Sequence, residues 1–139
     1  MASGGLDAEY EVNNKPYDLR QRTKQFALRV IRLVGSLPKT DTGRTLGRQL
    51  LRAGTSVGAN YRSAARARSP ADFIAKMGLV EEEADEVSYW IELLVESGMT
   101  KKEKLGPLMQ EAHELAAICV ASARTARKRR QQKRERRSD

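Results

Sequence analysis

The sequence predicts an all-α fold: an up-down-up-down antiparallel four-helix bundle with a flexible N-terminal leader and a basic C-terminal tail. Three observations lead there. The stretch Ser69–Gly98 carries a single hydrophobic period over roughly eight turns, three other segments repeat a helical period, and the connections between them are short enough to require antiparallel neighbours. With 40% hydrophobic residues but only two Phe and one Trp, the 139-residue chain has a lean core, suited to helices that approach through small residues.

Residues 1–15 mix Gly, Ser, Asn and acids without a period and are expected to form a leader. The bundle is expected over 16–123 and the tail over 124–139. From Tyr17 to Leu37, the residues Leu19, Phe26, Val30, Leu33 and Leu37 make one stripe, with Ala27, Ile31 and Val34 beside it. That arc is wider than one neighbour requires. Pro38–Thr42 breaks the pattern.

The second helix is expected from about Gly43 to Ala67 with two apolar seams. Leu46, Leu50, Ala53, Val57, Tyr61 and Ala64 form one; Gly47, Leu51, Gly54, Gly58 and Ala65 form the other. A glycine inside a helix costs about 1 kcal/mol relative to alanine, so a row of them implies close approach of another helix backbone. Gly47, Leu51, Gly54 and Gly58 are therefore assigned to an interface.

Ser69-Pro70-Ala71-Asp72 starts the third helix: Ser69 caps, Pro70 fits a position whose N–H is unsatisfied anyway, and Asp72 suits the dipole. Phe73, Met77, Val80, Ala84, Val87, Ile91 and Leu94 then recur at steps of four and three, and Gly98 is the expected stop. Leu79 and Trp90 lie off that seam and are assigned to an oligomer interface. Thr100-Lys101-Lys102-Glu103 has the form of a capping box opening the fourth helix, which Leu105, Leu108, Met109, Ala112, Leu115, Ala116, Cys119 and Ala123 line on one face. Beyond Ala123 the stripe fades, and the tail is either a helical extension or disordered.

One cysteine excludes an internal disulfide, and one histidine excludes a His-based metal cluster in a single chain. Cys119 falls on the apolar stripe and His113 well off it, so a Cys/His catalytic pair is rejected; no cofactor or metal is expected. The first residues lack the basic-then-apolar pattern of a secretion signal, and no segment approaches the roughly 18 apolar residues of a membrane span. A cytoplasmic protein with no membrane partner is the expectation.

The net charge is +8 and unevenly placed. Arg44, Arg48, Arg52, Arg62 and Arg66 make the second helix basic, while Glu81, Glu82, Glu83, Asp85 and Glu86 make the third acidic and are expected to face those arginines. The tail carries Arg124, Arg127, Lys128, Arg129, Arg130, Lys133, Arg134, Arg136 and Arg137. Such density binds polyanions, and without interleaved aromatics the contact is expected with phosphates rather than stacked bases. The tail and the five second-helix arginines are the predicted nucleic-acid site.

The block Ala53-Gly-Thr-Ser-Val-Gly-Ala-Asn-Tyr-Arg62, then Arg66-Ala-Arg-Ser-Pro-Ala-Asp-Phe73, then Glu83-Ala-Asp-Glu86 with Trp90-Ile-Glu-Leu-Leu94, resembles the small bacterial four-helix bundle proteins encoded in intervening sequences of large ribosomal RNA genes. The resemblance covers about residues 17 to 123. It implies a bundle that assembles into a ring-shaped homopentamer with a basic surface and no known catalytic activity. A related branch, the accessory variability determinants of diversity-generating retroelements, implies binding to nucleic acid and to a reverse transcriptase. Ser63 stands where the family usually has Glu, and the tail is longer than the pattern leads one to expect. The function expected is a non-enzymatic, oligomeric nucleic-acid-binding accessory protein for RNA or DNA. The alternative is an oligomeric protein-binding scaffold with no nucleic-acid role.

Overall fold

A computed structural model describes residues 18–138; the expected leader lies outside the described residues. Four helices follow one another: α1 (Leu19–Gly35), α2 (Asp41–Ala65), α3 (Pro70–Glu96) and α4 (Lys102–Ser138). Among the described residues there is no strand. Successive helices pack side by side as antiparallel neighbours, and α1 meets α4 through the thinnest seam, which closes the up-down-up-down bundle.

Three of the four helix starts have a capping side chain. Asp18 accepts from the Arg20 N–H at 2.9 Å, Thr40 from the Gly43 N–H at 3.1 Å, and Ser69 from the Asp72 N–H at 3.1 Å, with Pro70 following in the first turn. Because Thr40 is the cap, α2 begins at Asp41, ahead of the expected Gly43. Gly43 has to be glycine: a Cβ there would lie 2.1 Å from the Pro38 carbonyl oxygen. Gly98, at φ 78°, ends α3 as expected, and the Met99 and Thr100 N–H groups both donate to Leu94 O, at 3.0 and 3.1 Å. Thr100 thus belongs to the close of α3, and α4 starts later, at Lys102, instead of at a Thr100 cap.

The seven expected seam residues of α3, from Phe73 to Leu94, are all at most 1% exposed. Their average step of 3.5 residues fits helices that cross at a shallow angle. Phe26 and Val30 of α1, Leu50, Val57 and Tyr61 of α2, and Leu115 and Cys119 of α4 complete the core.

The glycine seam of α2 faces α1 of the same chain. A Cβ on Gly47 would lie 3.2 Å from Val34 Cγ1, on Gly54 2.7 Å from Val30 Cγ1, and on Gly58 3.2 Å from Thr23 Oγ1. The closely approaching helix is therefore α1: Gly47 and Gly54 are buried against it, and Gly58 is half-buried over Thr23. Leu51 is half-buried at the edge of the same seam.

At the far end, the buried stripe of α4 does not stop at Ala123. Ala126 is fully buried, which moves the end of the packed bundle one turn onward. The helix continues to Ser138, with every residue from Gln131 exposed. At 37 residues against 27 for α3, α4 outruns its neighbour by about 15 Å at a rise of about 1.5 Å per residue.

Candidate nucleic-acid interface

The fourteen predicted cations do not form one surface; antiparallel packing distributes them along the bundle. Arg62 and Arg66, in the last turn of α2 and at its C-cap, lie at the end from which α4 emerges. They share that end of the bundle with the emerging basic segment. On that segment Arg124, Arg127, Lys128, Lys133, Arg134, Arg136 and Arg137 are exposed, while Arg129 and Arg130 are half-buried. The one acid between Arg124 and Arg137 is Glu135, which accepts from the Gln131 side-chain amide at 3.2 Å. The cations occur on all sides of the helix, so it presents positive charge around its circumference.

Arg44 and Arg48 lie at the opposite end, near the start of α2; Arg44 stands 3.8 Å from the fully exposed Asp41. Among the described residues, no carboxylate pairs with Arg48, Arg62 or Arg66.

Arg52 differs. Its guanidinium reaches Glu83 at 3.3 Å and also pairs with Glu86, whose carboxylate accepts from Trp90 Nε1 at 2.9 Å. The expected facing of acidic α3 and basic α2 is thus realised at Arg52, whose charge is compensated within the chain. Trp90 is half-buried in this network, packed against the core, with the Tyr89 ring edge-on at 5.0 Å. It contributes to monomer packing as well as to the surface.

Glu82, Asp85, Glu92 and Glu96 are exposed on one outward stripe of α3, with Tyr89 between them. This acidic band runs from the middle of α3 to its C-terminal end. Apolar exposure remains at Leu28 and Ile31 on α1 and at Leu79 and Tyr89 on α3, between 38% and 53%. Leu79 is exposed off the α3 seam; Leu28 and Tyr89 were missed because each lies off the apolar stripe of its helix, on a face that periodicity marks as solvated.

Across the thin α1–α4 seam, Arg22 forms a fork with Glu111, Nε to Oε2 at 2.8 Å and Nη2 to Oε1 at 2.7 Å, and Nη2 also meets Glu114 at 2.8 Å. The hydrogen bonds that Arg22 donates to Glu111 foremost, and the nearby charges of both acids, hold the Arg22 guanidinium protonated even more firmly than usual, against the opposing effect of burial. Glu114 titrates below the ordinary carboxylate value, because the Gln110 amide and then Arg22 donate to its charged form.

Cys119 is buried in the core and His113 is exposed. Among the described residues, no group of three or more His, Cys, Asp and Glu side chains could hold a metal, and no helix is long and apolar enough to cross a membrane. The chemistry the surface offers is attraction of phosphate to clustered guanidinium and ammonium groups.

The family model described as 23S rRNA-intervening sequence protein matches residues 15–121. A crystal structure, at 1.70 Å, of a protein with unknown function from the S23 ribosomal protein family of Bacteroides thetaiotaomicron VPI-5482 is 31% identical. It superposes with a TM-score of 0.72, and the match covers 76% of this chain and 98% of that one. No curated protein matches.

Proposed function

Because the chain belongs to the 23S rRNA-intervening sequence protein family, we propose that it is a non-enzymatic, oligomeric accessory protein that binds nucleic acid through phosphate contacts, with little sequence preference. The observation that carries this reading is the α4 extension, a helix with nine Lys and Arg between Arg124 and Arg137 that emerges beyond the packed bundle at the end where Arg62 and Arg66 close α2. Guanidinium groups in such density neutralise a phosphate backbone and release its counterions. The exposed apolar residues on α1 and α3 support self-association through those two helices, which do not neighbour each other, as a head-to-tail closed ring would need. The homopentamer follows the resemblance. In such a ring the extensions act together, and linked copies raise affinity through effective concentration.

The test is a truncation after Ala126, which keeps the last fully buried residue of α4. Light scattering should give both forms a mass well above the 15.6 kDa of one chain. On duplex DNA each lost phosphate contact removes about 0.9 from the slope of log affinity against log salt, so the truncated form should bind several units less steeply. Unchanged affinity and slope would move the contact to α2. Absence of binding by either form at moderate salt would overturn the nucleic-acid reading and leave the protein-binding scaffold, without a reverse transcriptase or RNA partner.

A further inference from the structure

The topology that sends α4 out of one end of the bundle gathers a second set of cations at the other. There the end of α1, the start of α2, the end of α3 and the start of α4 meet. Arg29, Arg32 and Ser36 from the α1 side and Lys104 from α4 frame a groove of about 400 Å³ over an apolar floor that includes Leu33 and Leu108. Around the α1 terminus, Lys39, Arg44 and Arg48 frame a second recess of about 200 Å³. No acid lines either recess. The carboxylates closest in sequence are Asp41, on Arg44, and Glu103, in the first turn of α4.

Glu103 in the first turn of α4 and Glu96 at the close of α3 are the acids of this end, and neither lines the groove. Lys101, Lys102 and Lys104 crowd the start of α4, the positive end of the helix dipole, where negative charge is stabilised and positive charge is penalised. Among the described residues, Arg29, Arg32 and Lys104 pair with no carboxylate. A phosphodiester lying in the groove would satisfy the dipole and the three side chains together.

We propose that this end is a second phosphate-binding surface, so that the protein bridges two nucleic-acid segments, one on the α4 extension and one on the collar of Arg29, Arg32 and Lys104. The inference rests on the nucleic-acid reading and adds a second, opposed site to it. The length of α3 sets the two surfaces about 40 Å apart at about 1.5 Å per residue, five times a Debye length of about 8 Å. The bound backbones are therefore screened from each other. Glu82 and Asp85, midway along α3, repel nucleic acid from the surface between the two sites.

The test uses the full chain with one duplex on beads and a second, labelled duplex in solution, run with RNA and with DNA. Wild-type protein is expected to capture the labelled duplex. Arg29→Gln/Arg32→Gln/Lys104→Gln should still bind a single duplex with its salt slope unchanged, because the α4 extension is intact, and should lose capture at least tenfold. Lys39→Gln/Arg44→Gln/Arg48→Gln gives an independent reading on the neighbouring recess and should reduce capture in the same direction. Circular dichroism and light scattering confirm that both variants keep their helicity and mass. Wild-type binding without capture, or capture undiminished in both variants, overturns the second site and leaves the first standing. Wild-type protein that binds no duplex at all overturns the reading beneath both.

Discussion

Val30 and Gly54 show how little space separates α1 from α2. Val30 is fully buried, and a methyl on Gly54 would come within 2.9 Å of three of its side-chain atoms. Gly54→Ala sets about 1 kcal/mol of improved helix propensity against about 1–3 kcal/mol of overpacking, and the clash should win because Val30 has nowhere to move. Urea denaturation should show a net loss of about 1 kcal/mol, and Val30→Ala/Gly54→Ala should be less destabilised than the two single variants add up to. Gly78 is the control: a Cβ there meets nothing within 4 Å, so Gly78→Ala should raise stability by about 1 kcal/mol. The glycine row was legible as a close approach, but the row alone does not say whether the approaching helix belongs to the same chain. Periodicity along one helix counts the faces that need cover and is silent on what covers them.

At the scale of the elements, three of the four helix starts and the α3 stop follow local chemistry that a linear sequence displays. Ser69, Pro70 and Gly98 behave as their residue types dictate. Thr100 does not, because it is still part of the close of α3, its N–H on Leu94 O, and the cap position of α4 falls on Lys101. The end of the α4 stripe was equally hidden, since Ala126 is too small to register as a core residue until its neighbours are known. Nor was the Arg22 fork visible, with 89 residues between Arg22 and Glu111. Its side chains are 16% and 17% exposed, so Arg22→Met leaves a largely buried carboxylate without its cation and should cost about 2 kcal/mol in urea denaturation. Glu114 adds a pH dependence. Its folded pKa is depressed, so its contribution is present above the ordinary carboxylate range and lost as pH falls through the lowered value. The gap between wild type and Arg22→Met should therefore narrow on acidification.

For the whole molecule, the arrangement of charge matters more than its sum. A net +8 says only that polyanions are attracted; two basic ends with Glu82 and Asp85 midway between them say from which directions. The basic tail was legible in the sequence as a run of like charges. The collar was not, because Arg29, Arg32 and Lys104 come from the two ends of the chain and meet only once α4 closes the bundle. That same closure is where the structure is weakest. The α2–α3 and α3–α4 pairs are packed along their lengths, whereas α1 lies mainly on the glycine row of α2 and reaches α4 through little beyond one fork. Proteins open in cooperative units whose cost follows their packing, so α1 should detach as a piece while α2, α3 and α4 stay together. In native-state hydrogen exchange, the central amides of α1 should exchange through an opening cheaper than global unfolding, and those around Val80 to Ile91 only through global unfolding. Each such excursion of α1 would carry Arg29 and Arg32 away from Lys104, making the collar a site that exists only while the first helix is latched.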